Sequence, residues 1–256
     1  MNFITLLNIS KLMITNPGVL SGDNKYLFLL SHMRSYSSLL SHILGSHDKI
    51  SGHSEMHLPY RKKADLMTLR YRVYMSDKEK LNGNYIFDKI LHNHPISDNM
   101  LNDDNTKVLF MLRKPEDTLK SIMKMSENMN NPSRINDIDK IGSYYFNRLV
   151  QLKNLAERTD GRAVYLDAEK IVNNTDFVLG FLSDWLQLPT KLSSEYKTFS
   201  NTGKPGFGDP SENIKQGKIV KNRESSNIII PEKLLKTADE KYYKSREIIM
   251  KRCAII

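Results

Sequence analysis

The sequence predicts an α/β fold with three layers, α/β/α, in which a mainly parallel sheet lies between helices. Two short apolar runs, KYLFLL (Lys25–Leu30) and KVLFML (Lys107–Leu112), are typical of strands buried on both faces of a parallel sheet. Each run is followed by a polar loop and then by apolar residues at helical spacing. Strands that alternate with helices in this way form parallel sheets flanked by helices.

Each of these two strands leads through a loop into a helix. After the first, leucines and isoleucine recur at helical spacing from Leu39 to Leu44, and Gly45 is a typical residue for the end of a helix. After the second, Pro115 suits the first turn of a helix, and two acidic residues behind it suit the positive helix end. Both loops are therefore expected at the carboxyl edge of the sheet, where open α/β sheets bind their ligands.

A third strand and two further helices continue the pattern. The strand is expected at Ala163–Leu166. Apolar residues on one face of the helix after it are Phe177, Val178, Phe181, Leu182, Trp185 and Leu186. The helix before this strand has its apolar face formed by Ile138, Ile141, Tyr145, Leu149, Leu152 and Leu155.

No linker rich in Pro, Gly or Ser divides the 256 residues, so the sequence predicts one domain over residues 1–256. A packing helix is expected within residues 1–24 and a helical tail from about residue 231 to residue 256. No segment approaches the roughly 20 apolar residues of a membrane span. The single cysteine, Cys253, suits a reducing compartment, so a cytoplasmic location is expected. The final CAII fits a prenylation pattern and equally well the end of a surface helix.

The charge of the chain favours an anionic ligand. Lys and Arg number 38 against 29 Asp and Glu, which gives a formal net charge of +9. The basic residues are spread along the chain without the interleaved aromatic side chains of a stacking platform, so no nucleic acid is expected. A basic, non-enzymatic module that binds polyanions is one alternative function.

Hydroxyl residues interrupt the apolar sequence directly after the first strand, in LLSHMRSYSSLL (Leu29–Leu40). A loop that enters a helix presents backbone N–H groups in the positive field of that helix, which suits phosphate or sulfate. The hydroxyls of Ser35, Ser37 and Ser38 can donate further hydrogen bonds, and Arg34 adds a charged fork. The Walker A pattern is absent, so an ATP–Mg²⁺ site of the ordinary kind is not expected. A divergent ATP-dependent phosphotransferase is the second alternative function.

Four segments in register resemble those of the sulfotransferase family. SHMRSYSSLLSHILGSHDKISGHSEMH resembles its 5′-phosphosulfate loop, helix and following strand, and VLFMLRKPEDTLKS resembles its 3′-phosphate element. IFDKILHN resembles its Asp-Lys segment, and TGKPGFGDPSENIKQGKI a late glycine-rich loop that closes over the cofactor. The resemblance implies the P-loop-like fold of bacterial-type sulfotransferases. It also implies metal-independent sulfuryl transfer from 3′-phosphoadenosine-5′-phosphosulfate (PAPS), which leaves 3′-phosphoadenosine-5′-phosphate (PAP).

The resemblance implies a role for individual residues. The residues that would hold the 5′-phosphosulfate are Arg34, Ser35, Tyr36, Ser37, Ser38 and Leu39. Those that would bind the 3′-phosphate and cover the cofactor are Arg113, Ser121, Lys204, Gly206, Phe207 and Gly208. Arg34 and Lys89 would act on the transferred group, with Lys89 at the leaving oxygen. Tyr36 departs from the family, which usually has Gly there, and a positive φ would be costly for Tyr.

An acceptor hydroxyl also needs a general base. Glu55 is the first candidate, followed by His57 and His92, because burial can tune both residue types toward neutrality. No metal site is expected, since His92 and His94 alternate as on a strand without a carboxylate or cysteine at a recognised zinc spacing. The expected acceptor is a hydroxyl, with an amine as second choice, of a small molecule, glycan or lipid.

Overall fold

The part of the protein that the structure describes contains a sheet of six parallel strands. The structure is a computed structural model that describes residues 9–12, 14–15, 17–77, 81, 83–127, 138–200, 202–203, 212–221 and 228–256. The strands are β1 (Lys25–Leu30), β2 (Ile50–Ser51), β3 (Tyr85–Ile90), β4 (Thr106–Leu112), β5 (Val164–Asp167) and β6 (Ala254–Ile255). Their order across the sheet is β2-β3-β1-β4-β5-β6, and all neighbouring pairs of these strands are parallel.

Helices connect most of the strands. They are α1 (Ser37–Gly45), α2 (Lys63–Asp77), α3 (Asp98–Leu101), α4 (Pro115–Glu127), α5 (Ile138–Glu157), α6 (Lys170–Asn173), α7 (Thr175–Trp185), α8 (Glu212–Lys215) and α9 (Glu232–Arg252). The helix after β4 begins at Pro115, whose fixed φ suits that position.

Alternate residues of β1 face opposite helical layers. Phe28 and Leu30 pack in a core with α2, α4, α5 and α9, whereas Leu27 and Leu29 pack in a second core with α1 and α7. All four side chains are buried, because successive side chains of a strand point to opposite faces and both faces are covered. The prediction of a three-layer α/β/α fold with a mainly parallel sheet is confirmed.

The strand order places a switch point beside β1. The chain passes from β1 to β2 and β3 on one side of the sheet and then crosses to β4 and β5 on the other. The loops that follow β1 and β4 therefore leave the sheet side by side. In open α/β sheets this crevice, at the carboxyl ends of the strands, is where ligands bind.

The C-terminal residues differ from the expected helical tail. The helix α9 ends at Arg252, and the Ala254 and Ile256 N–H groups donate to the carbonyl oxygens of Ala163 and Tyr165, both at 2.9 Å. Burial raises the pKa of the Cys253 thiol to about 12. Ala254 and Ile255 of the CAII segment thus form the sixth strand of the sheet, because backbone pairing with the edge of β5 outweighs continuation of the helix.

Only part of the expected N-terminal helix lies within the described residues, since residues 1–8, 13 and 16 fall outside them. Residues 9–12 and 14–15 are helical, and Pro17–Val19 form a short 3₁₀ helix. Ile9, Val19 and Leu20 form a small apolar cluster against α2. Among the helices described, none has the length and apolar character needed to cross a membrane.

Candidate active site

The loops after β1 and β4 are joined by hydrogen bonds at the carboxyl edge of the sheet. The Ser31 hydroxyl donates to the Met111 carbonyl oxygen at 2.6 Å, and the Arg113 N–H donates to His32 Nε2 at 3.0 Å. Arg113 Nη1 also donates to the Arg34 carbonyl oxygen at 2.9 Å. The structure therefore brings together the two polar loops that the sequence placed at this edge.

His32 is a neutral, structural member of the first loop, and sequence reasoning gave it no role. Burial lowers the pKa of its imidazole to about 3. Because Nε2 accepts the Arg113 N–H, the proton of the neutral ring is on Nδ1, which lies 2.9 Å from the Met33 carbonyl oxygen. Its position directly after a buried strand was the only signal in the sequence.

Tyr36 adopts a positive φ, as expected at a position where the family usually has glycine. Its φ is 62° and that of Arg34 is 63°, so both residues are in the left-handed region. A non-glycine residue there costs about 1–2 kcal/mol. The Tyr36 ring lies against the Arg113 guanidinium, 4.2 Å from ring centre to Cζ, a cation–π contact that contributes about 0.5–2 kcal/mol. The contact offsets the backbone strain.

The first turn of α1 forms a place for an anion. The first N–H groups of a helix, here those of Ser37, Ser38 and Leu39, have no acceptor within the helix. Lys89, which is buried on β3, donates from Nζ to the Ser38 hydroxyl at 3.3 Å. The predicted lysine therefore reaches the predicted loop, because parallel pairing of β3 with β1 sets Lys89 beside Leu29.

Ser35 differs from the expectation that its hydroxyl faces the ligand. The side chain is buried, and the hydroxyl donates to the His32 carbonyl oxygen at 2.7 Å. A tight loop must satisfy its own buried carbonyl groups, and this serine does so. Its hydroxyl stabilises the loop.

A second cluster lies along the first two turns of α4. Arg34 Nε donates to the Ser121 hydroxyl at 2.8 Å, and Arg113 lies against both the loop and Asp117, at 3.6 Å. The structure thus groups Arg34, Arg113 and Ser121. The Arg34 side chain, which the resemblance assigned to the 5′-phosphosulfate, donates to Ser121 on α4.

The base candidates meet just beyond the carboxyl end of β3. Glu55 Oε1 accepts hydrogen bonds from the Leu91 N–H at 3.0 Å and from His92 Nδ1 at 2.9 Å, and His57 Nδ1 lies 3.6 Å from it. Burial raises the pKa of Glu55, but the hydrogen bond and charge of His92, with smaller contributions from His57 and Leu91, bring the net pKa below its ordinary value of 4.5. The side chain of Glu55 is 11% exposed, against 54% for His57 and 41% for His92.

A buried carboxyl group fixes the segment that carries Glu55 and His57. Asp88 Oδ1 accepts the Met56 N–H at 2.9 Å, and its Oδ2 accepts the Tyr60 hydroxyl. Burial raises the pKa of Asp88 to about 7, although these hydrogen bonds act in the opposite direction. His57 has a φ of 50°, a strained conformation that this anchoring maintains.

Arg148 caps the ends of two strands, a role that sequence reasoning did not assign. From α5 its guanidinium donates to the carbonyl oxygens of Ser31 at 2.8 Å, Ile90 at 2.6 Å and His92 at 2.8 Å. Burial lowers its pKa to about 10. The available signal was an arginine on the same helical face as Tyr145 and other apolar residues.

Four residues of the proposed closing loop, Lys204, Gly206, Phe207 and Gly208, lie outside the described residues. Thr202, the first residue of that loop, lies beside α1, where its hydroxyl is 2.8 Å from His42 Nε2. His42 Nδ1 in turn lies 2.8 Å from the Ser38 carbonyl oxygen. The start of that loop therefore contacts α1.

No family model and no curated protein matches the sequence. Among solved structures, the sulfotransferase domain from the curacin biosynthetic pathway is similar, with a TM-score of 0.57 and 15% identity over 88% of this chain and 97% of that one. The sulfotransferase domain of the Synechococcus PCC 7002 olefin synthase has a TM-score of 0.55 and 16% identity, over 87% and 96%. Mouse sulfotransferase SULT7A1 complexed with PAP has a TM-score of 0.53 and 11% identity, over 93% and 92%.

Proposed function

Because this chain has the sulfotransferase fold, we propose that it transfers a sulfuryl group from PAPS to a hydroxyl group of an acceptor, without a metal. The observation that carries the proposal is the grouping of Arg34, Arg113 and Ser121 beside the first turn of α1. The first turn of α1 and this group are two adjacent places for anions. PAPS carries anionic groups on both the 3′ and the 5′ side of its ribose and can occupy both.

The first place, at the N terminus of α1, suits the 5′-phosphosulfate. The helix field and the N–H groups of its first turn attract an anion, and Lys89 Nζ adds a hydrogen-bond donor beside the Ser38 hydroxyl. When the bond between sulfur and the bridging oxygen breaks, the electron pair stays on that oxygen and negative charge grows on the 5′-phosphate. Cationic and N–H groups that are already fixed in place stabilise this charge with little reorganisation.

The second place, between Arg34 and Arg113, suits the 3′-phosphate. A guanidinium binds phosphate through two parallel N–H···O bonds, and the Ser121 hydroxyl, in the second turn of α4, accepts a hydrogen bond from Arg34. The N terminus of α4 adds its positive field. These groups give the site a preference for PAPS and PAP over nucleotides that lack a 3′-phosphate.

The acceptor proton is taken up by the Glu55 and His92 pair. Glu55 Oε1 already accepts two hydrogen bonds and is nearly buried, whereas His92 is partly exposed. With its Nδ1–H held by Glu55, His92 presents the lone pair of Nε2 to an acceptor hydroxyl. The proton passes to Nε2 as the oxygen–sulfur bond forms, and the Glu55 carboxylate stabilises the resulting imidazolium. His57 borders the same place and contributes to acceptor binding.

Binding of PAP and AMP tests the proposal. PAP at about 100 times its Kd adds about 2.7 kcal/mol of stability and should raise the melting temperature by about 5–10 °C. AMP at the same concentration should have a much smaller effect. Arg113→Ala should weaken PAP binding by about 10–100-fold, because a charged hydrogen bond contributes about 1.5–3 kcal/mol, and leave AMP binding unchanged.

Arg162→Ala is the matched control, since Arg162 is an exposed arginine paired with Asp104 and Asp160 at the opposite edge of the sheet. It should bind PAP like the parent protein. Equal temperature shifts with PAP and AMP would remove the argument for a 3′-phosphate site. A shift with ATP and Mg²⁺ alone would favour the phosphotransferase, and heparin retention that survives Arg113→Ala would favour a polyanion-binding module. A screen of cell extract with labelled PAPS then identifies the acceptor among small molecules, glycans and lipids.

A further inference from the structure

Three side chains of different segments converge in a group that has the spacing of a metal site. The potential ligand atoms of Glu55, His57 and His92 all lie within 4.8 Å of one another. Glu55 Oε1 is 2.9 Å from His92 Nδ1 and 3.6 Å from His57 Nδ1. In a tetrahedral zinc site with bonds of about 2.0–2.1 Å, neighbouring ligand atoms are about 3.3 Å apart, so the two separations that involve Glu55 are already close to that spacing.

The backbone around the three residues is fixed before any metal binds. Met56, between Glu55 and His57, is held by Asp88, and the His92 carbonyl oxygen is held by Arg148. The Leu91 N–H donates to Glu55 at 3.0 Å, the kind of outer hydrogen bond that orients a ligating carboxylate. Fixing ligands in advance reduces the ordering that metal binding requires.

The donor atoms select the class of cation. Two imidazole nitrogens and one carboxylate oxygen suit Zn²⁺ and other late first-row divalent cations, whereas Mg²⁺ and Ca²⁺ prefer oxygen ligands alone. Since His57 and His92 are about half exposed, a fourth position remains open to solvent. We propose that Glu55, His57 and His92 form a Zn²⁺ site in which the cation replaces the proton that His92 Nδ1 shares with Glu55.

This site overlaps the proposed base, so its consequence for activity rests on the proposed function. Zn²⁺ would bind His92 Nδ1 and Glu55 directly, release the Nδ1 proton and break the hydrogen bond that orients the ring. The bound cation would also occupy the cluster at which the acceptor hydroxyl is proposed to bind. We expect Zn²⁺ to inhibit sulfuryl transfer, with activity restored when EDTA removes the metal.

Equilibrium dialysis of the untagged, metal-free protein against Zn²⁺ tests the site without any donor or acceptor. One equivalent should bind, and Co²⁺ in its place should show the visible absorption of a tetrahedral complex. Glu55→Gln, His57→Ala and His92→Ala should each weaken Zn²⁺ binding by at least about 100-fold, more than the roughly 10–100-fold loss from removing an outer partner. Circular dichroism confirms that each variant is folded.

His94→Ala is the control, because its ring neighbours those of His57 and His92, at 6.1 and 6.3 Å, but His94 is not part of the group whose ligand atoms all lie within 4.8 Å of one another. This variant should keep Zn²⁺ affinity within about tenfold of the parent. Absence of stoichiometric binding, or equal loss in the control and the three ligand variants, would overturn the proposal. Zn²⁺ binding without inhibition would instead overturn the assignment of the base, so failures of the two proposals are distinguishable.

Discussion

Replacing Asp88 by Asn should change how the stability of this protein depends on pH. The carboxyl group is buried in β3, where the Met56 N–H and the Tyr60 hydroxyl donate to it. Burial raises its pKa from 3.8 to about 7. Asn is nearly the same size, still accepts the Met56 N–H and cannot ionise, so the variant isolates the effect of the buried charge.

The expected magnitude follows from the two pKa values. In the unfolded chain the carboxyl ionises near pH 3.8, whereas in the fold it keeps its proton up to about pH 7. Its contribution to stability is therefore fully present below pH 3.8 and is lost as the pH rises to about 7. Within this window each pH unit lowers the free energy of unfolding by about 1.4 kcal/mol, and roughly 2–3 kcal/mol of the loss falls between about pH 5 and pH 8.

Urea denaturation of both proteins at these two pH values measures the effect. The free energy of unfolding of Asp88→Asn, relative to the parent, should rise by roughly 2–3 kcal/mol from about pH 5 to pH 8. Asp184→Asn, which removes an exposed carboxyl group of α7, should show no such change. If the difference between Asp88→Asn and the parent is the same at both values, the carboxyl titrates alike in both states and the reasoning is refuted.

Three further predictions concern the strained loop, the strand cap and the proposed catalytic lysine. Tyr36→Gly should be more stable than Tyr36→Ala by about 1 kcal/mol in urea denaturation, because both lose the ring but only glycine adopts a φ of 62° without strain. Equal stability of the two would contradict this. Arg148→Met should lower the free energy of unfolding by about 3 kcal/mol or more, since three carbonyl oxygens lose their donor; an unchanged urea midpoint would argue against the cap. Lys89→Met should slow transfer from labelled PAPS by about 100-fold or more while PAP binding changes little. A parallel loss of PAP affinity would assign Lys89 to binding.

The fold and the two polar loops at the sheet edge were predictable because their signals are local. Apolar runs marked β1 and β4 to within a residue, and Pro115 marked the start of α4. A buried strand must alternate its side chains between two covered faces, and a helix must repeat its apolar face every three to four residues, so each pattern appears in neighbouring residues. The strand β6 escaped prediction because its only support is pairing with the edge of β5.

The sequence by itself determined the parallel α/β architecture and the location of Arg34 and Arg113 in loops at one edge of the sheet, because position relative to a strand end follows from local hydrophobicity. Lys89 was identified only through the resemblance of IFDKILHN to the Asp-Lys segment of the family. Only the tertiary structure decided which side chains meet. It directed Arg34 to Ser121 across 87 positions and joined Glu55 to His92 across 37. Such contacts depend on strand register and on backbone turns such as the positive φ of Arg34, and these arise from packing of the whole chain and not from neighbouring residues.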